Sequence, residues 1–112
     1  MFSKKQRLCK QKDIEAVFKG NISAYGKTFG LKAINSPLEQ SRYTVIISTK
    51  VSKLAVERNR IKRIVKNTLK KHDPQVKKTV DCVIITLKPA KGQTTIEIEK
   101  AIENLLKRTR LV

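Results

Sequence analysis

The apolar residues Ile61, Ile64, Val65 and Leu69 recur at i, i+3, i+4 and i+8, so at about 100° per residue they share one side of a helix. This spacing predicts a helix over 55–71 that packs the stripe on a core and ends near His72, Asp73 and Pro74, because a proline disfavours helical geometry in the residue before it. Upstream, Ile14, Val17 and Phe18 predict a short amphipathic helix closed near Gly20. Phe29, Leu31 and Ala33 alternate with Thr28, Gly30 and Lys32, the period of a strand with one covered face. A polar loop with Pro37 follows, and the β-branched run 43–49 predicts a second strand, which suggests an antiparallel pair with the first. A third strand is expected over 80–87. After a turn with Pro89 and Gly92, Thr94 and Glu97 have capping-box spacing, and Ile98, Ile102, Leu105 and Leu106 give a last helix its buried stripe. The predicted order is α, β, β, α, β, α: a small central sheet covered by helices, an α+β class of α/β sandwich.

Composition adds a charge far from zero. Twenty-six Lys and Arg against nine Asp and Glu leave a formal charge of +17 on 112 residues. Such a field repels itself, and its usual use is to steer toward and neutralise a nucleic acid or an anionic membrane. No apolar run approaches the roughly 20 residues of a spanning helix, and the first residues, MFSKKQRLCKQKD, contain no apolar segment for a secretory signal. The expectation is a cytoplasmic protein that binds RNA or DNA rather than a membrane. No Pro or Gly-rich linker and no internal repeat divides the chain, so 1–112 reads as one domain with a basic arm over 1–12. Two cysteines, Cys9 and Cys82, have neither the number nor the spacing of a disulfide framework or a zinc site, and Cys82 sits in an apolar run as a core residue.

The charge is concentrated opposite the apolar stripe. Between Lys50 and Lys71 there are nine Lys or Arg and one acid, Glu57, and Asn59, Arg63, Lys66 and Lys70 line up on the outer side, flanked by Arg60 and Asn67. Catalytic groups are hard to assemble. His72 stands alone at a helix end, where a dipole or capping contact accounts for it, and the acids at Glu97, Glu99 and Glu103 read as a solvated helix face. The four glycines match no phosphate-loop spacing.

The segment KVSKLAVERNRIKR, residues 50–63, closely resembles the signature of the bacterial ribonuclease P protein family. Arg58, Asn59 and Arg60 form its Arg-Asn-Arg centre, with Lys50, Lys53, Ala55 and Val56 before it and Lys62 and Arg63 after it. The order is specific, and the resemblance extends along the chain. It implies a ribosomal protein S5 domain 2-like fold with a left-handed βαβ crossover around the signature helix, against the usual hand. It also implies a subunit of the ribonucleoprotein endonuclease that removes the 5' leader of precursor tRNA, with chemistry carried by the RNA subunit and its Mg2+, and with neither catalytic residues nor a metal site in the protein. By resemblance and charge, Lys50, Lys53, Arg58, Asn59, Arg60, Lys62, Arg63, Lys66 and Lys70 are expected to bind the RNA subunit, since Arg forks suit phosphate oxygens. Lys4, Lys5, Arg7, Lys12, Phe18, Phe29 and Lys32 are expected to hold the leader, with rings stacking on bases beside cations. Core packing is the competing account of Phe18 and Phe29. Ile14 and Lys32 stand where the family often has aromatics, and Leu54 where it commonly has a base. Two other classes compete: a structural RNA-binding protein of ribosomal type, and a nuclease acting without RNA.

Overall fold

The computed structural model describes residue 8 and residues 10–112. Helix α1 (Gln11–Phe18) is followed by strands β1 (Ile22–Tyr25), β2 (Phe29–Asn35) and β3 (Arg42–Ile46), helix α2 (Ala55–His72), strand β4 (Val80–Thr86) and helix α3 (Thr95–Arg108). The strands form one sheet in the order β1-β2-β4-β3. Helices α2 and α3 lie on one face and α1 on the other, the mixed sandwich expected from the pattern.

Two details differ from the sequence reading. Strand β1 was not expected: its four residues, bounded by Gly20 and Gly26, are too few for an alternation to stand out, and it is an edge strand that pairs with β2 alone. Strands β2 and β3 do not pair with each other, because β4 lies between them, antiparallel to β2 and parallel to β3. The cause is in β4 itself. Five of its seven residues are buried, so it takes the central position with a neighbour on both edges. The parallel β3–β4 pair needs a crossover, which α2 supplies.

On the α2/α3 side Phe29, Leu31 and Ala33 of β2, Tyr43 and Val45 of β3, and Val80, Cys82 and Ile84 of β4 meet Ile61, Ile64, Val65 and Leu69 of α2 and Ile98, Ile102, Leu105 and Leu106 of α3. Both predicted helical stripes are thus buried. The Thr94 hydroxyl accepts from the Glu97 amide at 3.2 Å and the Glu97 carboxylate accepts from the Thr94 amide at 3.0 Å, so the capping box forms as the spacing predicted. Cys82 is fully buried, and burial pushes its thiol up to about 12. The other face has a much smaller core of Leu8, Val17 and Val83, with Ile14, Ile34 and Ile85 packed against it.

Candidate nucleic-acid interface

The cationic face of α2 follows from its buried one. With Ile61, Ile64, Val65, Thr68 and Leu69 turned inward, Asn59, Arg63, Lys66, Asn67 and Lys70 are all exposed, as are Lys50 and Lys53 in the segment leading into the helix, while Lys62 is half-buried. Among the described residues, Arg63, Lys66 and Lys70 make no ion pair, so their charge faces solvent uncompensated. The last turn adds Lys71 and His72, where cations also sit well against the helix dipole. Tyr43 donates to the Asp73 carboxylate at 2.6 Å, anchoring this end of the helix to the sheet, and burial raises the Tyr43 phenol.

The N-terminal end of α2 is arranged differently. Arg58 Nη1 donates to the Ser52 carbonyl at 2.9 Å, bracing the preceding loop, in which Val51 and Ser52 are buried. Arg60 is half-buried: Nε and Nη2 donate to Glu57 at 3.4 and 3.2 Å, and Nη2 also donates to the Gln93 carbonyl at 2.7 Å. Of the signature cations, Arg58 and Arg60 therefore carry structural contacts as well, which a helical projection cannot show because both acceptors outside α2 are backbone groups. Beside them Leu54 and Val56 are 67% and 82% exposed.

The α1 side of the sheet has a closed end and an open end. At the closed end Arg42 is a clamp: its Nε and Nη2 donate to Asp81 at 2.9 and 2.7 Å, and Nη1 reaches Asp13 of α1 at 3.2 Å. At the open end runs the cross-strand row Tyr25, Gly30, Ile85 and Ile46, in which Ile85 still packs against the α1-side core while Tyr25 and Ile46 are exposed. Tyr25 lies across Gly30, since a Cβ added there would stand 2.5 Å from Tyr25 Cδ1; only glycine leaves room for the ring. Phe18, 39% exposed at the end of α1, lies on the same face, with Lys32 Nζ 5.9 Å from its ring centroid, a cation–π distance. The exposed rings of Phe18 and Tyr25, the Ile46 side chain and Lys32 make a surface on which an unpaired base could stack beside a cation. Because β3 ends at Ile46, residues 47–54 leave the sheet at this same end and lead straight into α2.

Phe29 is corrected from a leader contact to a core residue. It is 1% exposed and points to the α2/α3 side, because the alternation that places Lys32 on the open face places Phe29 on the other. Tyr25 is the ring missed from sequence; its only signal was a lone aromatic beside Gly26. Lys12 is exposed on α1, and Lys4, Lys5 and Arg7 lie outside the described residues.

Comparison with known proteins decides which family this arrangement belongs to. A family model described as ribonuclease P matches residues 2–110. The chain belongs to the ribonuclease P protein family. A relative from Staphylococcus haemolyticus named ribonuclease P protein component is 33% identical over 104 residues, covering 93% of this chain and 90% of that protein. Among solved structures, the Staphylococcus aureus RNase P protein superposes with a TM-score of 0.87 at 29% identity, covering 95% of this chain and 96% of that one. A mutant of the S. aureus protein, described as defective in mRNA degradation activity, gives a TM-score of 0.90 at 27% identity over 97% of this chain and 92% of its own.

On this ribonuclease P protein scaffold most acids are spent internally. Asp13 and Asp81 hold Arg42, Glu57 holds Arg60, Asp73 accepts from Tyr43, Glu97 completes a cap, and Glu103 stands 3.5 Å from His72. Pairing the acids with structural partners leaves the surplus of cations facing outward. Among the described residues no group of three or more His, Cys, Asp or Glu is placed to hold a metal ion, and no helix is long and apolar enough to cross a membrane.

Proposed function

We propose that this chain is the protein subunit of ribonuclease P and assists a catalytic RNA in removing the 5' leader from precursor tRNA. The observation that carries the reading is the exposed row Asn59, Arg63, Lys66 and Lys70, set directly behind the buried stripe of α2 within a signature whose residue order matches the family. This row, with Lys50, Lys53 and Lys62, binds phosphates of the RNA subunit, and Arg58 and Arg60 join it while also shaping the segment that presents it. The leader lies on the α1 side of the sheet, where Phe18 and Tyr25 stack bases and Lys32 neutralises phosphates, with Lys12 meeting the strand further along, at the start of α1. Mg2+-dependent hydrolysis belongs to the RNA. The protein's cations offset the repulsion where the two RNAs meet, work that divalent ions otherwise share.

The test is cleavage of a precursor tRNA at low Mg2+ by a bacterial ribonuclease P RNA, with and without this protein, and by the protein alone. Stimulation in the mixture, fading as Mg2+ is raised, is the expected result. No stimulation would favour a structural RNA-binding protein of ribosomal type. Cleavage by the protein alone, sensitive to substitution of His72 or an acid, would favour a second reading, RNA degradation by the chain itself, which the description of the S. aureus mutant supports.

A further inference from the structure

Glu57 is the single acid between Lys50 and Lys71, placed where a surface meant for phosphates would be expected to have none. Simple Coulomb repulsion predicts that it weakens RNA binding. Its contacts suggest the opposite. The carboxylate takes Arg60 side-on through Nε and Nη2 and also accepts from the Gly92 amide at 3.3 Å. Gly92 has φ +80°, a conformation that favours glycine, so the turn entering α3 is shaped to bring that amide to Glu57. The Gln93 carbonyl takes the remaining Nη2 proton of Arg60 at 2.7 Å. Three of the five guanidinium N–H donors are then committed, and among the described residues both N–H groups of Nη1 have no protein acceptor, on a side chain 29% exposed. Both Arg60 and the Gly92 amide favour the ionised carboxylate and hold Glu57 below the usual carboxylate range.

We propose that Glu57 is a positioning residue for RNA binding: it locks the Arg60 guanidinium between α2 and the 92–93 turn so that the Nη1 edge meets an RNA phosphate already oriented. A fork held in place loses less side-chain freedom on binding than a loose one, which outweighs the repulsion of one carboxylate. The proposal rests on the reading of the α2 face as the RNA-subunit interface.

The test is the salt-dependent affinity of the full chain for a bacterial ribonuclease P RNA, with Glu57→Ala, Glu57→Gln, Arg60→Ala, the Glu57→Ala/Arg60→Ala pair and Arg63→Ala. Both Glu57 variants remove the same negative charge, but glutamine can still accept from Arg60 and Gly92. Positioning predicts that alanine weakens binding about tenfold and glutamine about threefold. It also predicts that Glu57→Ala adds nothing once Arg60 is gone, and that its salt slope falls by about one, as for Arg60→Ala. Tighter or unchanged binding in both Glu57 variants would overturn the proposal, as would a loss that follows the fall in melting temperature with an unchanged salt slope. If Arg63→Ala and Arg60→Ala both leave affinity intact, RNA does not meet this face and the interface reading itself fails.

Discussion

On one face of the sheet, two helices bury a continuous layer from Phe29 and Leu31 to Leu106; on the other, α1 and Leu8 cover only the part around Val83 and Ile85 and leave Tyr25 and Ile46 exposed at the two ends of the next cross-strand row. Both faces belong to the same four strands, so strand propensity cannot account for the difference. It lies in what the alternate residues are. The α2/α3 side receives Phe29, Leu31, Tyr43, Val45, Cys82 and Ile84, whereas the α1 side receives Gly30, Lys32, Arg42, Thr44 and Asp81 among its apolar positions. The first set supplies stability. The second is apolar enough to seat one short helix and polar enough to stay open beyond it.

The largest effect is expected from the thick side. Ile102→Ala leaves a cavity beneath α3 and should cost about 3 kcal/mol in urea unfolding, whereas Val17→Ala, the fully buried side chain that seats α1, should cost about 2. Equal costs would mean that the α1 side supports as much of the fold as the other. Arg42→Ala comes next. It leaves Asp81, 14% exposed, and Asp13 facing each other without a counter-charge, at a cost of about 2 kcal/mol once partial exposure is allowed for. Arg42→Lys keeps the charge but not the fork that holds two carboxylates, and should recover only part of that loss. Amide exchange in α1 should rise in both variants while α3 is unaffected; protection unchanged in α1 would show that the clamp does not hold it.

A pH series probes the thick side without altering a contact. Burial raises the Cys82 thiol to about 12 in the folded chain, while an unfolded cysteine ionises near ~8.5. Between these values the unfolded state releases a proton that the folded state keeps, so stability should fall as pH rises, by up to about 1.4 kcal/mol per unit. Tyr43, raised by burial and by Asp73, adds to the fall as pH nears its ordinary value. From pH 8.5 to 9.5 the wild type should lose about 1 kcal/mol more than Cys82→Ala. Parallel curves would mean that solvent reaches β4 from the helical side.

The same contrast explains what could be read in the sequence. The stripes of α2 and α3 and the alternation of β2 were legible because each buries one face against a large layer, and that layer sets a clear period. The row Asn59, Arg63, Lys66 and Lys70 was legible for the same reason, as the complement of the Ile61 to Leu69 stripe. Strand β1 and Tyr25 were not, since an edge strand of four residues carries little periodic signal, and the fit of the ring over Gly30 exists only once β1 and β2 pair. Phe29 was assigned to the wrong face for a related reason: alternation separates two faces without saying which one is open. The ties of Arg58 and Arg60 depend on carbonyls of Ser52 and Gln93, and no helical projection contains those groups.

The finest test concerns the open end, where stability and function should separate. Tyr25 is 47% exposed, so Tyr25→Ala should leave the melting temperature nearly unchanged. If its ring stacks on the leader, the complex should bind leader-bearing precursor tRNA about fivefold more weakly, at the low end of what one stacked base contributes, with no change for mature tRNA that has no leader. Gly30→Ala approaches the same point from beneath. The added methyl occupies the space of the ring and must displace it, so this variant should reproduce the leader-specific loss although no aromatic has been removed. Tyr25→Phe should bind as the wild type does, because stacking uses the ring and not the hydroxyl. Equal losses for precursor and mature tRNA in Tyr25→Ala would assign this end of the sheet to tRNA or RNA-subunit binding, and the unequal cover of the two faces would then need a different use.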